Sequence, residues 1–151
     1  MNFNDTKHLS RQMEQKHDLL VQLRDLGLMQ IELIKRGDMS RLLKVLAAKQ
    51  RLIPILQSID RELDPFRNQD PQARQWETTA DRQQCAQNAA QCEELLQAIV
   101  EQERESEARM TVRRDEVATQ LQGMHNTAAV HQAYHDDNLP QHNQLDLTSQ
   151  G

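Results

Sequence analysis

The fold is decided at residues 33–43, which read LIKRGDMSRLL. Gly37 follows apolar and basic residues, and glycine often ends a helix because it tolerates the left-handed conformation. Lys35 and Arg36 suit the negative end of the preceding helix, and Asp38 suits the N-cap of the next. A connection this short predicts two neighbouring antiparallel helices, a helical hairpin.

Hydrophobic periodicity extends the hairpin in both directions. A leucine stripe with a seven-residue spacing predicts a first helix over residues 5–36. A second helix is predicted over residues 39–63, and Pro54 is expected to kink it rather than break it, because the apolar spacing continues on both sides. Its predicted seam steps by three and four and consists of Met39, Leu42, Leu46, Lys49, Ile53, Leu56, Asp60 and Leu63.

A long third helix is predicted over residues 72–122, after a loop over 64–71 that contains two prolines. The second helix covers only about 38 Å, so the third should pass the hairpin turn near residues 97–100. The rest of the third helix is then an overhanging arm, from Glu101 onward. Gly123 and the polar composition that follows it predict a flexible tail over residues 123–151. The predicted seam of the third helix before the arm consists of Cys85, Ala89, Cys92, Leu96 and Ile99, and it continues as Glu103 and Ser106.

Composition supports an all-α, coiled-coil-like bundle of three helices. The chain has four aromatic residues and four glycines among 151, too few for a β-sandwich or for the glycine-rich turns of a doubly wound α/β fold. The net charge of −5 arises in residues 101–151, and no basic face accumulates elsewhere. We therefore expect no nucleic-acid partner. The apolar runs are shorter than the roughly 18 residues that a membrane span needs, and no signal peptide is recognisable, so a cytoplasmic protein is expected.

The sequence predicts no catalytic residue, metal site or cofactor, and hence no enzyme. His131 and His135 have a spacing that can chelate a metal, but a solvated tail is the preferred interpretation. Cys85 and Cys92 lie seven apart on one helix, too far to form a disulfide, and are predicted to be buried apolar side chains. His17 leaves open a phosphotransfer module, although no His-x-x-Lys-Gly pattern follows it.

Two segments, LIKRGD at 33–38 and LLKVLAAKQRLI at 42–53, resemble the FlgN family of flagellar type III export chaperones. The similarity of architecture covers residues 10–135, and the motif covers residues 30–60. The resemblance implies a chaperone that binds hook-associated (hook–filament junction) proteins, prevents their premature assembly and delivers them to the export gate. It places the binding segment at residues 112–134 and makes Tyr134 the counterpart of a tyrosine associated with docking at the gate.

The predicted overhang of the third helix points independently to the same segment. An arm without an intramolecular partner would expose its apolar stripe, and exposed stripes of this kind mark interaction sites. The alternative is a coiled-coil scaffold that associates with itself; as a chaperone, the protein is expected to be a monomer or weak homodimer. The predicted partner-binding residues are Met110, Val117, Leu121, Met124, Val130 and Tyr134.

Overall fold

The structure is a computed structural model that describes residues 2–137. Three helices account for most of this range: α1 (Phe3–Arg36), α2 (Met39–Arg67) and α3 (Thr79–Asp137), with a short 3-10 turn at Pro71–Ala73 between the last two. No strand occurs within the described range, so the all-α prediction is confirmed. The part of the predicted tail that follows residue 137 lies outside the described residues.

The turn at Gly37 forms as the sequence predicts. Gly37 has a φ of 71° and a ψ of 22°, the left-handed conformation, and its N–H donates to the carbonyl of Ile34 at 3.1 Å. The N–H of Asp38 donates to the carbonyl of Leu33 at 3.0 Å, which completes the helix end. The Asp38 side chain then accepts a hydrogen bond from the N–H of Arg41 and caps α2. The helical hairpin is therefore confirmed.

The second helix is longer than predicted, because it continues to Arg67 where a loop was expected from residue 64. Pro54 and Pro65 both lie inside it, and neither interrupts it. Leu63 and Phe66 are one helical turn apart and both enter the core, with 3% and 8% of their surface exposed. Burial of these two side chains offsets the hydrogen bond that Pro65 removes.

The predicted register of the α2 seam was wrong in part. Ile53 is 43% exposed and Met39 is 37% exposed, so neither belongs to the buried face. Val45 and Ile59 are buried instead. The buried series starts from the same Leu42 but takes the other order of three- and four-residue steps, which brings Phe66 into the core. It consists of Leu42, Val45, Lys49, Ile59, Leu63 and Phe66.

The third helix begins later and ends later than predicted. It starts at Thr79 rather than residue 72, because the side chain of Thr78 accepts a hydrogen bond from the N–H of Asp81 at 3.0 Å and caps it. It also runs through Gly123 to Asp137. An exposed glycine costs a helix only about 1 kcal/mol, and the helix-favouring alanines and glutamines around Gly123 offset this cost.

Three apolar clusters form the core, and they differ in which helices contribute to them. At the Phe66 end, Leu9 of α1, Leu63 of α2 and Cys85 of α3 pack together. The middle cluster has its buried residues on α1 and α3, and Leu52 and Leu56 of α2 pack against it. The cluster beside the Gly37 turn contains buried residues of α1 and α2 only: Leu33, Ile34, Leu42 and Val45. The pairing of low-numbered residues in α1 with low-numbered residues in α3 makes these two helices parallel.

The chain divides into two compact units, one ending at Met110 and the other beginning at Thr111. The expected division was at residue 122, with the arm starting at Glu101. The helix that was expected to leave the hairpin near residue 100 still buries Gln102 and Ser106. The later start of α3 explains this shift. Because α3 begins seven residues further along the chain than predicted, it reaches the end of the hairpin about seven residues later.

Candidate functional site

The six predicted partner-binding residues all lie on α3 but belong to different units. Met110 is the last residue of the first unit and is 39% exposed. The other five lie in the second unit, and their exposed fractions rise from 41% at Val117 to 72% at Tyr134. All six are exposed large apolar or aromatic side chains, as a partner-binding surface requires.

Helical geometry divides these residues between two sides of α3. At about 100° per residue, Val117, Leu121 and Met124 lie within an arc of about 60°. Val130 and Tyr134 lie about 100–140° away from Val117 around the helix. We call the first group, Val117, Leu121 and Met124, the distal stripe. The sequence placed Val117, Leu121 and Met124 on one stripe together with Met110. It named Val130 and Tyr134 as further partner-binding residues, and these two lie on another side of the helix.

The distal stripe lies in a segment that lacks acidic residues, lysine and arginine. Residues 117–135 contain no Asp, Glu, Lys or Arg. Polar groups nearby are satisfied within the helix itself: the Thr127 hydroxyl donates to the carbonyl of Gly123 at 2.9 Å, and the Gln122 amide donates to Asn126 at 3.1 Å. A partner on the stripe would therefore displace water from apolar surface without having to desolvate an ion.

A buried polar layer in the first unit joins all three helices. Lys49 of α2 is 8% exposed, and its Nζ donates to Oε1 of Gln30 on α1 at 2.7 Å and to Oε1 of Glu103 on α3. Burial lowers the pKa of Lys49 below its ordinary value, because desolvation disfavours the ammonium form. The sequence showed Lys49 and Glu103 as polar seam positions but gave no signal for the contact with Gln30.

The same layer contains an unusually close approach of α1 and α3. The side chain of Gln102 donates to the carbonyl of Arg24 at 3.0 Å and lies against Gly27, where an added Cβ would come within 2.2 Å of its Oε1. Gly27 therefore permits this contact. Gln102 and Ser106 are both buried, with 9% and 3% exposed. Gln102 therefore attaches α3 to α1 through a polar contact, whereas the buried Ser106 hydroxyl has no hydrogen-bond partner among the described residues.

The side chains that the sequence offered for chemistry include Cys85, Cys92 and His17, and none of these three lies in a catalytic arrangement among the described residues. Cys85 and Cys92 are buried free cysteines, and burial raises the pKa of both thiols, which leaves them poor nucleophiles. Nδ1 of His17 lies 3.3 Å from a carboxylate oxygen of Asp18, its neighbour in α1. Among the side chains described, those of residues 2–135, no group of three or more His, Cys, Asp or Glu is placed to hold a metal ion.

Comparison of the chain with protein-family models, with curated proteins and with solved structures found no match. Among the described helices, none combines the length and the apolar character needed to cross a membrane.

Proposed function

We propose that this protein is a flagellar export chaperone of the FlgN type. It binds hook-associated (hook–filament junction) proteins in the cytoplasm, prevents their premature assembly and delivers them to the type III export gate, without catalysis or a cofactor. The single observation that carries the proposal is the exposed distal stripe, in a chain whose sequence resembles that family between residues 30 and 60.

The stripe has the properties of a helix-binding surface. Val117, Leu121 and Met124 are 41%, 59% and 68% exposed and repeat at intervals of four and three, the spacing with which one helix contacts another. Full burial of such a side chain contributes about 1.5–3 kcal/mol. Met124 adds an unbranched, adaptable side chain, which suits a protein that receives more than one subunit. An amphipathic helix of the cargo is the partner that fits.

The second exposed side of the distal helix suits the second partner of a chaperone. Tyr134 and Val130 are 72% and 68% exposed and lie away from the stripe around α3. Delivery requires that the export gate contact the chaperone while the cargo is still bound. Two separate sides of one helix allow both contacts, so we assign the stripe to the cargo and Tyr134 to the gate.

The competing proposal is a coiled-coil scaffold that uses the stripe to associate with a second copy of itself. Met110, Val117 and Met124 repeat at seven, the heptad spacing that such a seam requires. Sedimentation at several concentrations separates the two functions. The chaperone is a monomer or weak dimer that forms a stable complex when a hook–filament junction subunit is added, whereas the scaffold is a stable oligomer without any partner.

The experiment that tests the proposal is a calorimetric titration with a purified hook–filament junction subunit. Val117→Glu/Leu121→Glu should abolish binding, because carboxylates cannot supply the apolar burial, and the melting temperature of the first unit should be unchanged. Val112→Glu/Ala118→Glu is the matched control: it adds the same two charges at exposed positions of the same helix, away from the stripe. This control should bind as the unsubstituted protein does.

Two results would contradict the site assignment. One is wild-type affinity in the stripe variant, and the other is equal loss of binding in the stripe variant and the control. Tyr134→Ala tests the gate contact separately: it should bind the junction subunit normally but deliver it poorly in a secretion assay. Loss of subunit binding in Tyr134→Ala would place the cargo on the Tyr134 side of the helix and contradict its assignment to the distal stripe.

A further inference from the structure

A cavity of about 440 Å³ lies in the first unit at the Phe66 end, far from the distal stripe in sequence. It is open to solvent on one side and is lined by the first half of α1, the end of α2, the connection after it and the beginning of α3. Its volume falls within the range of about 300–1,000 Å³ that is usual for small-molecule sites. Part of its lining is apolar, and we call this part the apolar floor: Leu9, Met13, Leu63, Phe66, Cys85 and Cys92.

Charged side chains line the cavity as well, and they are mostly basic. Lys16, Arg67, Arg74 and Arg82 contribute to the lining, together with a single carboxylate, Glu93. An apolar floor combined with several basic groups is the composition expected of a site for a ligand with a hydrocarbon part and an anionic end. Only those cations that have no carboxylate partner are available to such a ligand.

Two of the four cations are already neutralised by carboxylates of α2. Nζ of Lys16 lies 2.9 Å from Oδ1 of Asp60. Nη1 of Arg67 lies 3.1 Å from Oδ1 of Asp64, and its Nη2 lies 3.5 Å from Asp60. These pairs hold α1 and the last turns of α2 in place, and they leave little charge for a ligand.

The other two cations have only neutral partners. Nη2 of Arg74 donates to the carbonyl of Phe66 at 2.9 Å, and Nη2 of Arg82 donates to the amide oxygen of Gln72 at 3.5 Å. Neither guanidinium has a carboxylate within ion-pair distance in the described part of the chain. Nε of Arg74 is buried and finds no acceptor there. A buried donor of a charged group without an acceptor is costly, and an anion would relieve that cost.

We propose that this cavity binds a single-chain alkyl carboxylate, with its hydrocarbon on the apolar floor and its carboxylate on the guanidinium groups of Arg74 and Arg82. Guanidinium groups match a carboxylate in geometry as well as charge, since each can donate two parallel hydrogen bonds. The site is independent of the proposed chaperone function, because every residue that lines it lies in the first unit.

Trp76 provides a direct reading of binding, because it also lines the cavity and is the only tryptophan of the chain. Titration of the full chain with dodecanoate, below the concentration at which it forms micelles, should produce a saturable change in tryptophan fluorescence. Dodecanol has the same hydrocarbon without the carboxylate, and it should bind at least about tenfold more weakly.

Variants at the basic end separate recognition of the carboxylate from hydrophobic contact. Arg82→Gln, at an exposed position, should weaken dodecanoate binding by about tenfold and leave dodecanol binding unchanged. Arg74→Gln should weaken dodecanoate binding by at least as much, but this variant also loses the bond to the Phe66 carbonyl. If Arg74→Gln fails to fold, the result with Arg82→Gln decides whether the carboxylate is recognised. Arg51→Gln, an exposed arginine of α2 that does not line the cavity, removes the same charge and should have no effect.

Three results would overturn the inference. The first is the absence of a saturable fluorescence change with dodecanoate. The second is equal affinity for dodecanoate and dodecanol, which would reduce the site to an unspecific apolar opening. The third is an equal effect of Arg82→Gln and Arg51→Gln, which would show that the net charge of the protein, rather than the cavity, attracts the ligand.

Discussion

Two parts of one helix are used in opposite ways in this protein. Up to Met110, α3 buries side chains, among them Cys85, Cys92 and Leu95, against the first unit. From Thr111 to His135, every side chain except the intermediate Arg113 is exposed, including five large apolar or aromatic ones besides Val112. Helical structure and burial are therefore separate properties here: the distal segment is a helix whose large apolar side chains lie at its surface.

Along α3, the polar layer lies between the part that buries apolar side chains and the part that exposes them. Apolar contacts attach α3 as far as Leu95 and Ile99, and then Gln102 and Glu103 attach it through hydrogen bonds. Beside the Gly37 turn, the buried cluster contains no residue of α3. The attachment therefore weakens gradually toward the distal segment rather than ending at one residue.

The largest expected effect comes from the same substitution at a leucine in each part. Leu20→Ala should lower the free energy of unfolding of the first unit by about 2–5 kcal/mol, because Leu20 has no exposed surface. Leu121→Ala should change it by less than about 0.5 kcal/mol, since Leu121 is 59% exposed. Urea unfolding followed by the fluorescence of Trp76 measures both. Equal losses would mean that the distal stripe is packed core.

Two glycines give a smaller contrast, of opposite sign. Gly37→Ala should destabilise the first unit by about 1–2 kcal/mol, because the turn needs a positive φ. Gly123→Ala should stabilise the distal helix by about 0.5–1 kcal/mol, since a Cβ there meets nothing within 4 Å. Thermal melts followed by circular dichroism measure both changes. A loss of helix in Gly123→Ala would indicate that this glycine holds a conformation other than the helical one.

The smallest effect is expected at the polar layer, and it depends on pH. Because burial lowers the pKa of Lys49, the unfolded chain binds more protons at this residue than the folded one does between the lowered pKa and the ordinary one. The free energy of unfolding should therefore rise with pH across that window, relative to Lys49→Met. Near neutral pH the two proteins should differ by about 1 kcal/mol or less, because Glu103 is 51% exposed and can be hydrated.

Urea unfolding of both proteins from neutral to alkaline pH measures this difference. A relative stability that falls as the pH rises would mean that the ion pair with Glu103, rather than desolvation, dominates at Lys49.

The sequence predicted the hairpin well because its signals are local. Gly37 and Asp38 act through their own backbone conformation and capping, which do not depend on distant residues. The α2 register was less predictable, because series through Ile53 and through Leu52 are equally regular and only contact with the other helices selects between them. The start of α3 depended on one capping side chain, Thr78, whose signal is a single hydroxyl.

The candidate site could be predicted in its residues but not in its arrangement. The exposed apolar side chains of the distal segment were identified from their spacing on the predicted arm and from the family resemblance, and their division between two sides follows from the helix continuing through Gly123. The cavity and its two arginines could not be predicted. Arg74 lies in a connection without periodicity, and its neighbours, Phe66 and Cys85, come from different helices.

Amide hydrogen exchange, measured with and without a purified hook–filament junction subunit, is the most direct test of whether the distal segment receives the cargo. In the free protein, exchange should be slow in the core segments of the first unit and faster across residues 111–137, because no side chain between residues 111 and 135 is buried to oppose local opening. Addition of the subunit should slow exchange across residues 111–137 and leave the first unit nearly unchanged. Protection confined to the first unit would contradict the account, and so would the absence of any protection in a complex shown to form.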